Sequence, residues 1–152
     1  MAKIGLITCQ NSTQAMGCSS ILCLKDMREE SGEFSRYIDD GGVELIGVIS
    51  CAGCPTLIAS ERLINRVRIL VETGAQAIHL SNCIMALCPF KNKYLTILEE
   101  AFPGVDFILG THIEPVKRGE EMFRQVSKEV LCQQQLTMAD IIKRAQAELL
   151  NQ

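Results

Sequence analysis

The sequence predicts a single three-layer α/β domain with a mainly parallel sheet of at least four strands. Short apolar runs, partly β-branched, alternate with amphipathic helical segments at intervals of about 30 residues, as in β-α-β units. Hydrophobic residues make up 47% of the 152 residues and charged residues 22%, which is typical of an ordered chain with one core. Right-handed crossovers between such strands place helices on both faces of the sheet.

Four runs have the composition of strands in such a sheet. Residues 3–8 and 43–50 are the first two strands, and residues 75–81 and 105–110 are the third and fourth. Parallel strands are covered on both faces and are therefore almost continuously apolar. Together with the helices between them, these strands indicate a Rossmann-like or flavodoxin-like fold.

Helices are predicted between successive strands. The first begins near Ile21 and ends near Ser31-Gly32, and Phe34 and Tyr37 continue its apolar side. The helix before the fourth strand has apolar residues at helical spacing and ends before Pro103-Gly104. Its apolar positions are Tyr94, Ile97, Leu98, Ala101 and Phe102.

The helix before the third strand has the clearest pattern. Pro55 suits the first helical position, and Gly74 suits the position just after the last turn. Between them lies an i, i+4, i+7, i+8 stripe formed by Leu63, Val67, Leu70 and Val71.

The pattern changes after residue 114. Residues 1–114 carry the alternating strands and helices, whereas residues 115–152 have helical patterns alone. We expect this C-terminal helical extension to pack on the same domain or to form a homodimer contact.

Charge and hydropathy exclude several kinds of partner. The net charge is −3, so the chain lacks the basic surface expected of a nucleic-acid-binding protein. No apolar run approaches the roughly 20 residues that span a bilayer, so no membrane partner is expected. The first three residues lead directly into a strand and not into a signal-peptide pattern, and a cytoplasmic location is expected. The sequence identifies no protein partner.

Eight cysteines are the unusual feature of the composition. Because the core is large and no export signal is recognised, reduced thiols are expected rather than a disulfide framework. Cys9, Cys51, Cys83 and His112 each follow a predicted strand. Parallel strands end at one edge of the sheet, where this architecture binds ligands, so these four side chains are predicted to meet there.

Each strand-end cysteine but the first has a second cysteine close in sequence. Cys51 and Cys54 have the C-x-x-C spacing of half a zinc site, and Cys83 and Cys88 have a C-x4-C spacing. Cys18 and Cys23 repeat the C-x4-C spacing near the first helix. The thiolate-rich set predicts a metal-binding protein, with zinc as the ion and an iron–sulfur cluster as the alternative.

Geometry limits how many of these ligands one ion can take. Neighbouring strands lie about 4.8 Å apart, whereas sulfurs bonded to one zinc lie within about 4 Å of each other. One ion can therefore take four ligands from two adjacent clusters, or the site holds more than one metal. His79 lies inside a strand, so we expect it to support the site by hydrogen bonds without binding the ion. Cys132 lies far from any strand end and is expected to pack in an apolar environment.

Two further functions remain open. A thiol-disulfide oxidoreductase would use Cys51 as the nucleophile, with its pKa lowered by a following helix, and Cys54 as its resolving partner. An interaction protein would merely pack its cysteines and bind through the C-terminal helices. The residue six positions after Cys9 is Ala15, so the C-x5-R loop of a low-molecular-weight phosphatase or arsenate reductase is missing. The sequence identifies no catalytic residue and no organic cofactor site.

An ordered series of short motifs resembles the CGGC domain family over roughly residues 3–112. The motifs are Ser50-Cys51-Ala52-Gly53-Cys54-Pro55, Gly74-Ala75, Ile78-His79-Leu80-Ser81-Asn82-Cys83, Cys88-Pro89 and Gly110-Thr111-His112. The resemblance implies a metal-binding domain with zinc as the expected ion, and it implies no catalytic activity.

The resemblance also implies which residues matter. Cys51 and Cys54 match the central pair of the family, and other recurring positions are matched by Cys9, His79, Cys83, Cys88 and His112. Cys18 and Cys23 fall in a cysteine-bearing region of the family. Ala52 stands where the family tetrapeptide usually has glycine, so a left-handed backbone there would be strained.

Overall fold

The computed structural model describes residues 1–54 and 60–112. Within these ranges the predicted α/β architecture is confirmed, with helices on both faces of an all-parallel sheet. Three predictions lie outside the described residues: the helix start at Pro55, the C-terminal helical extension and the packing of Cys132.

The sheet has four parallel strands in the order β2-β1-β3-β4. Its strands are Ala2–Thr8 (β1), Val43–Ser50 (β2), Ala77–Leu80 (β3) and Asp106–Leu109 (β4). β1 and β3 occupy the centre, and their burial matches their continuous apolar character. β2 forms one edge, and its side chains are mostly half-buried.

The strand order explains why the helices lie on two faces. The chain moves from β1 to β2 in one direction and then crosses back beyond β1 to β3 and β4. Right-handed crossovers in opposite directions along a sheet place their helices on opposite faces. The order reverses between β1 and β3, so the crevice where such sheets bind ligands lies at the carboxyl ends of these two strands.

Four α-helices are found in the described residues: Ile21–Arg28 (α1), Glu61–Glu72 (α2), Asn82–Leu87 (α3) and Lys91–Ala101 (α4). α2 and α4 confirm the predicted apolar stripes, with Leu63, Val67, Leu70, Tyr94 and Leu98 buried. α3 and a short π-helical turn at Asn11–Ala15 were not predicted, because neither is long enough to show a helical period.

The first crossover contains two helical segments where one continuous apolar side was predicted. α1 ends at Arg28, and left-handed residues Glu30 and Gly32 follow it. A 3-10 helix over Gly32–Asp40 then buries Phe34 and Tyr37, whose spacing of three matches its period. None of the helices in the described ranges is long and apolar enough to cross a membrane.

Two apolar cores lie on the two faces of the sheet. The larger core contains side chains of α2, α3 and α4, together with Cys9 and Cys51, and Cys83 and Cys88 pack against it. The smaller core contains Cys23 of α1 and the apolar side of the 3-10 helix. The sheet therefore separates Cys23 from the other buried cysteines.

Candidate functional site

Cys9 and Cys51 lie side by side at the carboxyl ends of β1 and β2. The two strands pair in register as far as Thr8 and Ser50, and the Cys51 N–H donates to the Thr8 carbonyl oxygen at 2.9 Å. The cysteines are the next residue on each strand, and their thiols are hydrogen-bonded to each other. Each residue is only 8% exposed, so their contact is largely shielded from water.

The two thiols have opposite pKa shifts. The Cys51 S–H donates to Cys9, which lowers the pKa of Cys9 well below its ordinary value, helped by the Ser12 and Asn11 backbone N–H groups. The same hydrogen bond and burial raise the pKa of Cys51. The hydrogen bond thus favours ionisation of Cys9 and retention of the proton by Cys51.

The oxidoreductase alternative required a lowered pKa at Cys51, whereas hydrogen bonding and burial raise the pKa of this thiol. Its proton is held between two sulfurs, and burial further disfavours its thiolate. The helix start that was expected to lower its pKa falls in residues 55–59, outside the described part of the chain.

Cys83, which follows β3, contacts Cys9 across the crevice between β1 and β3, where the strand order reverses. The Cys9 N–H donates to the Cys83 Sγ at 3.1 Å, and the Ser81 hydroxyl lies 2.9 Å from the same sulfur. Burial raises the pKa of Cys83, and the Ser81 hydrogen bond partly offsets the rise. Ser81 was not singled out in the sequence, since a lone serine after a strand carries no signal.

Cys54 and Cys88 are two further cysteines close enough to interact with this group. Cys54 is exposed, and its sulfur accepts a hydrogen bond from Asn11 Nδ2 at 3.7 Å. Burial raises the pKa of Cys88, and negative charge on Cys9 or Cys54 raises it further. We call the five sulfurs of Cys9, Cys51, Cys54, Cys83 and Cys88 the strand-end thiol cluster.

A second group forms around Cys23 beside the end of β4. The Cys23 Sγ lies 3.2 Å from the Thr111 hydroxyl and 3.6 Å from Nδ1 of His112. Thr111 Oγ1 also lies 3.2 Å from that nitrogen, so the three side chains contact one another. We call Cys23, Thr111 and His112 the Cys23 group.

Burial favours the neutral form of both ionisable members of the Cys23 group. It raises the pKa of Cys23 and lowers the pKa of His112. Asn82 anchors the turn, because its Oδ1 accepts the Thr111 N–H at 3.0 Å and its Nδ2 donates to the His112 carbonyl oxygen. Asn82 was not predicted as a site residue, because no spacing in the sequence marks it.

Cys18 lies on the loop before α1 and is exposed. Negative charge on Cys18 raises the pKa of both Cys23 and Cys83, although burial contributes more to each shift. Cys18 is therefore near enough to interact electrostatically with both groups.

His79 is fully buried inside β3 and contacts neither group of sulfurs in the hydrogen bonds described. Its Nδ1 lies 2.9 Å from the Gly110 carbonyl oxygen and its Nε2 lies 2.8 Å from the Tyr37 hydroxyl. A carbonyl oxygen only accepts, so Nδ1 carries the proton and Nε2 accepts from Tyr37. Burial lowers the pKa of His79 to about 4, so the ring is neutral at pH 7.

The turn between Cys51 and Cys54 contains the backbone conformation that glycine favours. Ala52 has φ 63° and Gly53 has φ 89°. The conditional prediction of strain at Ala52 is therefore met, since a left-handed conformation costs an L-residue about 1–2 kcal/mol. This strain energy lies in the two-residue turn that connects Cys51 to Cys54.

The cysteine and histidine side chains of the described residues do not form a closed metal-binding shell. No disulfide is found among the seven cysteines of residues 1–54 and 60–112. In those same ranges no three Cys, His, Asp or Glu side chains are close enough together to hold a metal ion.

The chain matches one family model but no individual known protein. Curated proteins give no match to the chain, and neither do solved structures. The family model of the CGGC domain matches residues 3–112, which include both groups of cysteines and His112. These 110 residues are most of the 152-residue chain, and the chain belongs to the CGGC domain family.

Proposed function

We propose that the chain is a metal-binding protein that holds zinc with thiolates of the strand-end thiol cluster. One observation carries the proposal: Cys9 and Cys51 present two hydrogen-bonded sulfurs at neighbouring strand ends, and the hydrogen bond lowers the pKa of Cys9. The thiolate is the form of cysteine that binds metals. The lowered pKa of Cys9 favours that form.

Cys83, Cys54 and Cys88 are the proposed sources of the remaining ligands. Cys83 is already tied to the end of β1 through the Cys9 N–H, and Cys54 follows Cys51 at C-x-x-C spacing. Zinc accepts four sulfurs in a tetrahedral shell, so this set is chemically sufficient. An iron–sulfur cluster is the alternative, since it is also held by four cysteine thiolates.

The donor set fits zinc in chemistry, but its described arrangement is open. In residues 1–54 and 60–112 no three ligand side chains are close enough to hold an ion, so at least one further sulfur must move toward Cys9 and Cys51 for binding. Cys54 is the natural candidate because it is exposed and its hydrogen bond from Asn11 is long, at 3.7 Å. Binding would release the protons of the neutral thiols and would therefore weaken as pH falls.

The Cys23 group would require a separate ion. Cys23 packs in the core on the opposite face of the sheet from Cys9 and Cys51. We therefore assign Cys18, Cys23 and His112 to a second, weaker site, with His79 supporting the end of β4 through Gly110.

Elemental analysis of anaerobically purified protein tests this proposal. We expect about one tightly bound zinc per chain, and Cys51→Ser or Cys54→Ser removes most of it. Cys83→Ser and Cys88→Ser should also weaken binding. Cys132→Ser is the matched control, since it makes the same chemical change at a cysteine far in sequence from any predicted strand end, and it should retain the metal.

Three outcomes would count against zinc binding by these cysteines. Iron together with acid-labile sulfide would identify the cluster alternative. Metal-free protein after anaerobic zinc loading, or loss of metal in Cys132→Ser with retention in Cys51→Ser, would contradict a site at the carboxyl edge of the sheet.

A further inference from the structure

We propose that Cys9 and Cys51 form a reversible disulfide between the ends of β1 and β2, with a small peroxide as the oxidant. The redox pair would then join two strands, in place of the C-x-x-C pair that the sequence indicates. This activity needs no bound metal, although it uses two of the sulfurs assigned to zinc.

The sheet itself brings the two sulfurs together. The register Thr8–Ser50 and the hydrogen bond from the Cys51 N–H to the Thr8 carbonyl place the two cysteines on adjacent strand positions. Such positions are about 4.8 Å apart, within the Cα separation of about 4.4–6.8 Å that disulfides require. The thiols are already in hydrogen-bonding contact.

The other nearby sulfurs have different partners. The exposed Cys54 accepts a hydrogen bond from Asn11, whereas Cys51 is buried against Cys9. The Cys83 sulfur is held by the Cys9 N–H and the Ser81 hydroxyl. Cys9 with Cys51 is therefore the pair that needs the least movement to form a bond.

The burial of Cys9 and Cys51 favours a small oxidant over a large one. Cys9 and Cys51 are each 8% exposed, which admits hydrogen peroxide far more readily than a bulky disulfide such as oxidised glutathione. Oxidised glutathione should react first at the exposed thiols, Cys18 and Cys54.

The chemistry balances with one peroxide for each disulfide. The Cys9 sulfur attacks one peroxide oxygen and the O–O bond breaks. The departing hydroxide takes up a proton, either the Cys9 thiol proton or one from solvent, to form water, and Cys9 becomes a sulfenic acid. The Cys51 sulfur then attacks the Cys9 sulfur, an S–S bond replaces the S–O bond, and the departing hydroxide takes the Cys51 proton to form a second water. The two thiols lose two electrons and the peroxide gains them.

Peptide mapping tests the inference on the reduced, metal-free 152-residue chain. One equivalent of hydrogen peroxide should remove two of the eight free thiols, and a dithiol reductant should restore both. Alkylation, digestion and mass spectrometry should find the Cys9 peptide linked to the Cys51 peptide. A map dominated by Cys51–Cys54 or Cys9–Cys83, or one without an intramolecular disulfide, would overturn the inference.

Variants separate this pair from its neighbours. Cys9→Ser and Cys51→Ser should each lose the linked peptide, whereas Cys54→Ser should keep it. The wild-type map decides the question even if a serine variant fails to fold. Because the chain is tested without metal, failure here leaves zinc binding intact, and failure to bind zinc leaves this inference intact.

Discussion

The Cys9 N–H donates a 3.1 Å hydrogen bond to the Cys83 sulfur, and so links the carboxyl ends of β1 and β3. These two strands flank the point where the strand order reverses, which is where open α/β sheets bind their ligands. The Cys83 sulfur is thus both a proposed zinc ligand and the acceptor of a hydrogen bond that links two strands. Substitutions of Cys83 can separate metal binding from this hydrogen bond.

Replacing Cys83 with alanine should destabilise the fold more than replacing it with serine. Alanine leaves the Cys9 N–H without its acceptor and the Ser81 hydroxyl without its sulfur partner, at a cost of about 1–3 kcal/mol for a buried polar group. Serine keeps an oxygen acceptor at nearly the same place. Urea unfolding with reductant and chelator measures the difference, and equal midpoints for the two variants would show that the hydrogen bond contributes nothing.

The buried His79 should make the fold sensitive to acid. Its folded pKa of about 4 lies below the ordinary 6.5, so between these values the unfolded chain binds a proton that the folded chain does not. Stability contributed by the neutral ring is complete above pH 6.5 and falls as pH drops toward 4, by about 3 kcal/mol.

The variant His79→Gln isolates this effect, because it removes the titrating ring and leaves every other acidic and basic group. The difference in unfolding free energy between wild type and variant should change with pH across this window. Parallel pH curves for the two proteins would exclude His79 as the source.

Replacing Ala52 with glycine should stabilise the protein. The left-handed conformation at φ 63° costs alanine about 1–2 kcal/mol, while glycine loses more chain entropy on folding, so the net gain is about 1 kcal/mol. Thermal unfolding should show a raised midpoint. Ala86→Gly, in the exposed part of α3, is the control and should lower stability by about 0.5–1 kcal/mol; a loss in both variants would contradict strain at residue 52.

Gly32→Ala should disrupt the Cys23 group, whereas Gly41→Ala should not. Both glycines have positive φ, at 60° and 76°, so both substitutions add backbone strain. A Cβ at residue 32 would lie 2.5 Å from the Thr111 carbonyl oxygen, whereas at residue 41 nothing lies within 4 Å.

The difference between these two variants therefore measures the clash alone. We expect a loss of about 1 kcal/mol for Gly41→Ala and a clearly larger loss for Gly32→Ala. His112 ring NMR signals should shift only in the latter. Similar losses and unchanged His112 signals in both variants would contradict tight packing against Thr111.

The sequence was sufficient to predict the four strands, because each is a nearly continuous apolar run. It was also sufficient to predict α2 and α4, because each has a long apolar stripe at helical spacing. It could not predict the strand order, since the order depends on which way each crossover turns. The order in turn decides that Cys9 neighbours both Cys51 and Cys83, and that Cys23 lies across the sheet. Short elements such as α3 carry too few residues to reveal a period.

The chemistry of the individual cysteines was harder to predict than their location. The C-x-x-C spacing favoured Cys51 as the reactive thiol of the oxidoreductase alternative, but the hydrogen bond between the strands lowers the pKa of Cys9 and raises that of Cys51. Asn11, Ser81 and Asn82 contact the sulfurs or the Thr111–His112 turn, yet no spacing in the chain marks them. Contacts between distant segments determine these properties.

X-ray absorption at the zinc K-edge tests the central claim most directly, since it identifies the atoms bonded to the metal. On zinc-loaded protein prepared without air, the account predicts a shell of sulfur at about 2.3 Å, with fewer sulfurs in Cys51→Ser. A shell of nitrogen and oxygen alone, or a sulfur shell unchanged in Cys9→Ser, Cys51→Ser and Cys54→Ser, would contradict zinc binding by the strand-end thiol cluster.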